Sequence, residues 1–494
     1  MPKKVYKILF ASSEVVPFSK TGGLADVASA LPKQLKQMGH DIRIVTPKYR
    51  AINDVKYRLR EVIRLKEISV KLGDKTHHIA IKSAFIPDTK VQVYFIEYPK
   101  YYDRESLYVD PDTGTDYDDN DLRFFLFSKG ILEIAKILSW KPDIIHCNDW
   151  QSGVVPLYLK TLFKDDPFFA ATKTVLSIHN VGYQGNFPPE AVVNGGLPPK
   201  IFYPSAPVEF HGKFSFLKSG IKYADIVTTV SEKYAEEIQT TDEYGFGLAS
   251  DLHDRTDDLY GILNGIDVDI WHPEKDDLIH QKFSKDDLEG KEANKKALLE
   301  RCGLEYNPDV PLIGIISRLA AQKGFDLLEE ILDDIAPLNM QMIVLGHGDK
   351  VYHDLFEAAM QKYPNKFSVH LNFNNQLAHQ IEASSDFFLM PSRYEPCGLN
   401  QMYSFMYGTV PIVRSTGGLA DTVKDVDENP QNGTGFTFEK YKSDKLLDVI
   451  QRAVNFYGGR KAFRALQARG MSQDFSWKRS ALCYLDIYAK ALEK

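Results

Sequence analysis

Short apolar runs alternate with amphipathic stretches along the chain. Runs at residues 6–11, 41–46, 91–97, 143–146, 174–179 and 226–230 predict a first set of strands. A second set is predicted at 312–317, 342–346, 367–371, 387–391 and 410–414. Helical patterns separate most of them. In one, Leu24, Ala28, Leu31, Leu35 and Met38 share a face. Strands alternating with helices predict parallel sheets covered by helices. The two sets predict two doubly wound α/β domains, residues 1–264 and 265–474, with the break at Asn264-Gly265-Ile266-Asp267. A polar, acidic stretch from Glu274 to Lys296 precedes the second set. Residues 475–494 predict a terminal helix with Trp477, Leu482, Leu485 and Leu492 on its apolar side.

The length of 494 residues agrees with roughly two to three domains at about 150 residues each. Asp and Glu outnumber Lys and Arg, giving a net charge of −7, which argues against a nucleic-acid binder. Four cysteines without a C-x-x-C exclude a disulfide scaffold and a zinc ribbon, and fit a reducing compartment. No apolar run is long enough to span a membrane. The N-terminal apolar run, Ile8 to Ala11, is too short for a signal peptide, so the expectation is a cytoplasmic protein without membrane or nucleic-acid partners.

One segment recurs. Lys20-Thr-Gly-Gly-Leu-Ala-Asp-Val27 is echoed by Ser415-Thr-Gly-Gly-Leu-Ala-Asp-Thr422, with six consecutive identical residues. Each copy follows a strand and opens a helix. A glycine pair at a helix start lets the backbone approach a phosphate, toward which the free amides and the dipole point. Lys20 adds a positive charge before Gly22 and Gly23; a tight turn with a solvated lysine has the same spelling. The dinucleotide fingerprint G-x-G-x-x-G and the G-x-x-x-x-G-K-[ST] phosphate loop are both absent.

Other candidates stand at strand ends, where open α/β sheets bind ligands. Arg318 and Lys323 follow one strand; they are either a metal-free pair for a pyrophosphate or two surface cations. Glu395 follows another, either as an acceptor of sugar hydroxyls or as a helix-start acid. Cys397 reads as a packed small residue, since no base accompanies it. In the first half, His146, Asp149 and His179 mark strand ends that suggest a site. Asp110 to Asp121 departs from a calcium loop at two positions and reads as a solvated acidic loop.

Taken together, Lys20-Thr-Gly-Gly-Leu-Ala-Asp-Val27, Ser177-Ile-His-Asn180, Asn264-Gly-Ile-Asp267, Ser317-Arg-Leu319 with Gln322-Lys-Gly324, Glu395-Pro-Cys-Gly-Leu399 and Ser415-Thr-Gly-Gly-Leu419 resemble the bacterial glycogen synthase and plant starch synthase family. The motifs follow the family's order. The resemblance implies a GT-B fold: two Rossmann-like domains facing a deep cleft, with the terminal helix returning to the N-terminal domain. It implies a retaining transferase moving glucose from ADP-glucose to the non-reducing end of an α-1,4-glucan, with no metal or other cofactor. The same reaction with UDP-glucose, or a GT-B transferase with a small sugar acceptor, are the alternatives; a sugar or nucleotide sensor ranks last.

By the same resemblance, Arg318 and Lys323 hold the diphosphate, helped by Lys20, Gly22 and Gly23 and by Thr416, Gly417, Gly418 and Leu419. Glu395, Cys397 and Gly398 bind the transferred glucose. His179 lies at the anomeric centre, Asp149 holds glucose hydroxyls, and Asn264 lies near the sugar. Phe373 faces the base, and Tyr102 the acceptor. Tyr403 stands where the broader fold class often has a second glutamate.

Overall fold

A computed structural model describes residues 4–494. The chain forms two compact units. The first comprises the residues through Val230, with Ala235–Ile262 and Trp477–Lys494; the second comprises Ser231–Tyr234 and Leu263–Ser476.

The first unit is built on a ten-stranded sheet. Its parallel part runs, in spatial order, Leu259–Gly261, Ile226–Thr229, Lys173–Ile178, Ile144–Asn148, Lys7–Ala11, Asp41–Pro47 and Gln92–Glu97. From Lys7–Ala11 the chain winds outward on one side through Asp41–Pro47. It then returns to Ile144–Asn148 on the other side. The topological switch point therefore lies between Lys7–Ala11 and Ile144–Asn148, and a crevice forms beyond such strand ends. All six strands predicted in this half are present. An antiparallel extension is added: Lys75–Phe85 pairs with Gln92–Glu97 and also carries Arg60–Glu61 and Ile68–Leu72.

Helix Gly23–Gln37 buries Leu24, Ala28, Leu31 and Leu35 as its periodicity predicts, and Met38 caps its end. The terminal helix, Trp477–Glu493, presents a different face from the predicted one. Trp477, Ala481, Tyr484, Tyr488 and Ala491 turn inward, whereas Leu482 is half exposed. This face is selected by small side chains, which allow close approach to helix Gly23–Gln37 and strand Lys173–Ile178. It is also selected by a polar link, since Tyr488 Oη lies 2.8 Å from Nδ1 of the buried His146.

The second unit carries a six-stranded, wholly parallel sheet in the order Phe367–His370, Gln341–Gly348, Leu312–Leu319, Phe387–Met390, Val410–Arg414 and Phe436–Phe438. Its switch point falls between Leu312–Leu319 and Phe387–Met390. One face buries Leu327, Leu328 and Ile331 of helix Phe325–Ile335 and Leu446, Val449 and Ile450 of helix Ser443–Tyr457. The stretch that reads as acidic before this sheet is packed, not solvated. Ile279 and Phe283 join Ala383 and Tyr407 in a small core, and Lys295 is buried against Asp386 at 2.8 Å.

Candidate active site

In the first unit the chain leaves Lys7–Ala11 in a loop organised by Glu14. This carboxylate is 3 % exposed. Oε2 accepts the amides of Thr21 and Gly22, at 2.5 and 3.2 Å, and Oε1 accepts the hydroxyls of Thr21 and Tyr108, at 2.6 and 2.7 Å. The helix then starts at Gly23. A side chain added at Gly22 or Gly23 would meet nothing within 4 Å, so neither glycine is required by packing. Lys20 pairs with Asp26 at 2.8 Å and stays half exposed.

Beyond the neighbouring strand, Asp149 holds φ 53° and ψ −172°, a conformation that costs a non-glycine residue about 1–3 kcal/mol. The contacts of its side chain offset that cost. Oδ1 accepts the His179 amide at 2.7 Å, and the Asn180 amide also donates to the carboxyl. Burial pushes the Asp149 carboxyl up to about 7, against these bonds and with a smaller push from the Glu14 charge. Burial holds His179 down to about 4, so its ring is neutral at neutral pH. The ring Nε2 lies 2.9 Å from Asn148 Oδ1.

The second unit gathers its own group at its switch point. Arg318 ends strand Leu312–Leu319 with its side chain exposed, 3.5 Å from Gln322 Oε1. Lys323 Nζ lies 2.6 Å from Glu395 Oε2, which also accepts Ser392 Oγ at 2.9 Å. The two loops are stitched together by Arg393 N to Gln322 O and by Gln322 Nε2 to Tyr394 O. Gly324 has φ +74°, and a Cβ there would sit 2.0 Å from Pro391 O. Cys397 is buried and accepts the Asn264 amide; burial pushes its thiol up to about 12, which removes it as a nucleophile near neutral pH. The Asn264 Oδ1 is buried without a hydrogen-bond partner.

The two echoed segments are used differently. A Cβ at Gly417 or Gly418 would sit 2.0 Å from Glu395 O or Cys397 O, so this pair is required by packing against the glutamate loop. The Gly418 amide donates to Glu395 O and Pro396 O, and the Leu419 amide to Thr416 O. These two amides are thus committed, a correction to their reading as open phosphate donors; Thr416 itself is buried. Asp26 pairs with Lys20, whereas its counterpart Asp421 accepts the Lys233 amide.

Phe373 is 90 % exposed between strand Phe367–His370 and helix Asn375–Ser384, whose N-cap is Asn374. Gly398 takes φ +69° above Gln401. Tyr403 stacks on Trp271 at 4.0 Å, and Trp271 stacks on His379 at 3.8 Å. Tyr102 is a second correction. It is fully buried, and its hydroxyl donates to Arg123 O at 2.7 Å, so it presents no surface to a glucan. The buried Arg123 guanidinium beside it bonds Tyr101 O and Leu107 O. Neither Glu14 nor Asn148 stands out in the sequence. The available signal was a carboxylate between a strand end and a Gly-Gly helix start, and an amide beside Asp149.

The comparisons with known proteins match both halves. Residues 7–254 match the starch synthase catalytic domain model, and residues 300–465 the model for glycosyl transferases group 1. The chain is 48% identical to the glycogen synthase of Koribacter versatilis (strain Ellin345), over 98% of each chain. The chain belongs to the glycogen and starch synthase family. Within that family it is also 45% identical to the glycogen synthase of Thermotoga maritima, over 99% of each chain. Among solved structures, the catalytic domain of starch synthase IV from Arabidopsis thaliana bound to ADP and acarbose superposes with a TM-score of 0.89. It is 32% identical and covers 99% of this chain and 100% of that one. The family's GT-B fold and its glycosyltransferase activity are therefore those of this chain. Among the described residues no helix is long and apolar enough to cross a membrane.

Proposed function

We propose that the chain transfers glucose from ADP-glucose to the non-reducing end of an α-1,4-glucan with retention of the α configuration and without a metal. The observation that carries this reading is the group formed by Arg318, Lys323 and Glu395 at the second unit's switch point. The ADP bound by the Arabidopsis starch synthase supports an adenosine donor, with Phe373 as the exposed ring available to the base.

The leaving group is a nucleoside diphosphate, so negative charge builds on its oxygens in the transition state. Arg318 offers a fork to two of them and Lys323 a point charge, already in place before reaction. Glu395, held by Lys323 and Ser392, accepts hydroxyls of the glucose. In the first unit, the family resemblance assigns Asp149 and His179 to the sugar and Lys20 with the open Gly22-Gly23 backbone to the phosphates. The Cys397 thiol is protonated and is not poised as a nucleophile. The leaving phosphate takes the proton of the incoming 4-hydroxyl on the same face. Incubation with a fluorinated donor followed by mass spectrometry checks this step, and a glucosyl adduct on any side chain would refute it.

The experiment for the function as a whole compares ADP-glucose with UDP-glucose, glycogen as primer and EDTA present. Label entering precipitable glucan from ADP-glucose is expected. A preference for UDP-glucose would overturn the donor assignment around Phe373; loss of transfer on chelation would overturn the metal-free one.

A further inference from the structure

We infer that Asn148 is a positioning residue that fixes the tautomer of His179, making the ring an acceptor for a sugar hydroxyl rather than a proton donor. The inference rests on the proposed placement of His179 beside the transferred sugar, and extends it to an atom.

Asn148 is fully buried at the carboxyl end of Ile144–Asn148. Its Nδ2 lies 3.0 Å from Ala11 O and 3.5 Å from His146 O. Carbonyl oxygens only accept, so the amide nitrogen must face them; the flipped amide would set oxygen against oxygen. Oδ1 is thereby turned to His179 Nε2 at 2.9 Å. That oxygen also only accepts, so Nε2 carries the proton. The neutral ring holds one proton, which leaves Nδ1 as a bare lone pair. The residue that turns the amide is itself fixed: the Asn148 amide donates to Ser152 Oγ at 2.7 Å, and that hydroxyl donates back to Asn148 O at 2.8 Å. The backbone of His179 is pinned separately, through its amide to Asp149 Oδ1.

The consequence is chemical. A neutral imidazole with Nδ1 unprotonated accepts a hydrogen bond from a hydroxyl of a hexose, and cannot protonate the departing phosphate. A sugar lacking that hydroxyl would leave the lone pair unmatched, which gives the site selectivity. Asp149 bonds the His179 amide and the Glu14 charge reaches Asp149, while His146, on the strand beside it, is neutral.

The test uses full-length, deuterated protein with ring-labelled histidine. Long-range 1H–15N correlation at neutral pH should show His179, identified by its absence in His179→Gln, as the Nε2–H form. The Nδ1–H form or an imidazolium would overturn the inference. In Asn148→Leu the ring should become a mixture of tautomers and kcat should fall about tenfold or more, with a smaller change in KM. In Asn148→Asp a carboxylate replaces the amide, so the acid limb of the kcat/KM profile should move to higher pH. A wild-type tautomer retained in Asn148→Leu also overturns the inference. A tautomer that changes in Asn148→Leu while transfer stays at the wild-type rate supports the hold on the ring and refutes instead the placement of His179 at the sugar.

Discussion

Lys323 Nζ lies 2.6 Å from Glu395 Oε2, and the two residues come from loops on either side of the second unit's switch point. The pair is mostly buried, with side-chain exposures of 21% and 8%. A cation in that setting is held in place before any phosphate arrives. Its ammonium has three donors, so one bond to Glu395 leaves others for a ligand. Lys323→Gln is predicted to lower kcat by about 10²–10³, the usual cost of removing one fixed stabiliser of transition-state charge, with a smaller effect on KM for ADP-glucose. Steady-state kinetics with glycogen as acceptor measure both; an unchanged kcat with a raised KM would mean that Lys323 only binds the ground state.

Glu14 predicts an effect on the neighbouring backbone. Glu14→Ala removes the acceptor of the Thr21 and Gly22 amides and of the Thr21 hydroxyl, while the Tyr108 hydroxyl keeps Ser13 Oγ. Thr21 and Gly22 are exposed, so water can replace the carboxylate and each lost bond costs about 0.5–1.5 kcal/mol. Thermal denaturation should show a lower Tm, and hydrogen exchange should accelerate at Thr21 and Gly22. Glu14→Gln keeps an acceptor oxygen and should lose less.

The echoed glycines predict opposite outcomes for the same substitution. Gly417→Ala places a methyl against Glu395 O at a φ of +46°, and should destabilise by about 1–3 kcal/mol or more. Gly22→Ala meets open space at a φ of −147°, and should leave Tm unchanged while weakening the donor if the phosphates approach that backbone. Tm and the KM for ADP-glucose separate the two; a Gly22→Ala protein with reduced Tm and normal KM would remove Gly22 from the donor site.

The buried histidines predict a pH dependence. His146 and His179 are held down to about 3 and about 4 by burial, from 6.5. Their neutral forms stabilise the fold above pH 6.5, and that stability is lost as pH falls toward the folded values, because the unfolded chain takes up protons the folded one refuses. Asp149, raised to about 7, acts in the opposite sense and gains stability over the same fall. His146→Gln removes one of the two destabilising contributions. Below pH 6.5 the exchange-derived stability of the Ile145 and Cys147 amides should fall more steeply in the wild type than in His146→Gln, by about 1.4 kcal/mol per pH unit. Equal slopes would show that His146 is not buried as a neutral ring.

Most parallel strands are legible because strands covered on both faces are short continuous apolar runs, but the three-residue edge strands Leu259–Gly261 and Phe436–Phe438 are too short to show one. Nor is the extension legible. In Ile68–Leu72, Ile68, Val70 and Leu72 alternate with Ser69 and Lys71, a half-buried antiparallel pattern lost among polar neighbours. The terminal helix is legible but its face is not, since apolarity favours Leu482 over Tyr488, whose hydroxyl finds a buried partner in His146. Lys295 was hidden for the same reason: a buried lysine reads as surface unless its carboxylate, here Asp386, is known. At the candidate site, strand-end residues such as Lys323 and Glu395 were legible by type and place. Glu14 and Asn148 act through other residues' atoms, and only the coordinates bring those atoms together.

The most direct measurement of the central claim is the linkage made from ADP-[1-13C]glucose and a maltooligosaccharide, followed by NMR as transfer proceeds. The account predicts that the donor's α-anomeric signal is replaced by a new α-1,4 signal at the non-reducing end, with EDTA present. A β linkage, or label released only as free glucose, would contradict it.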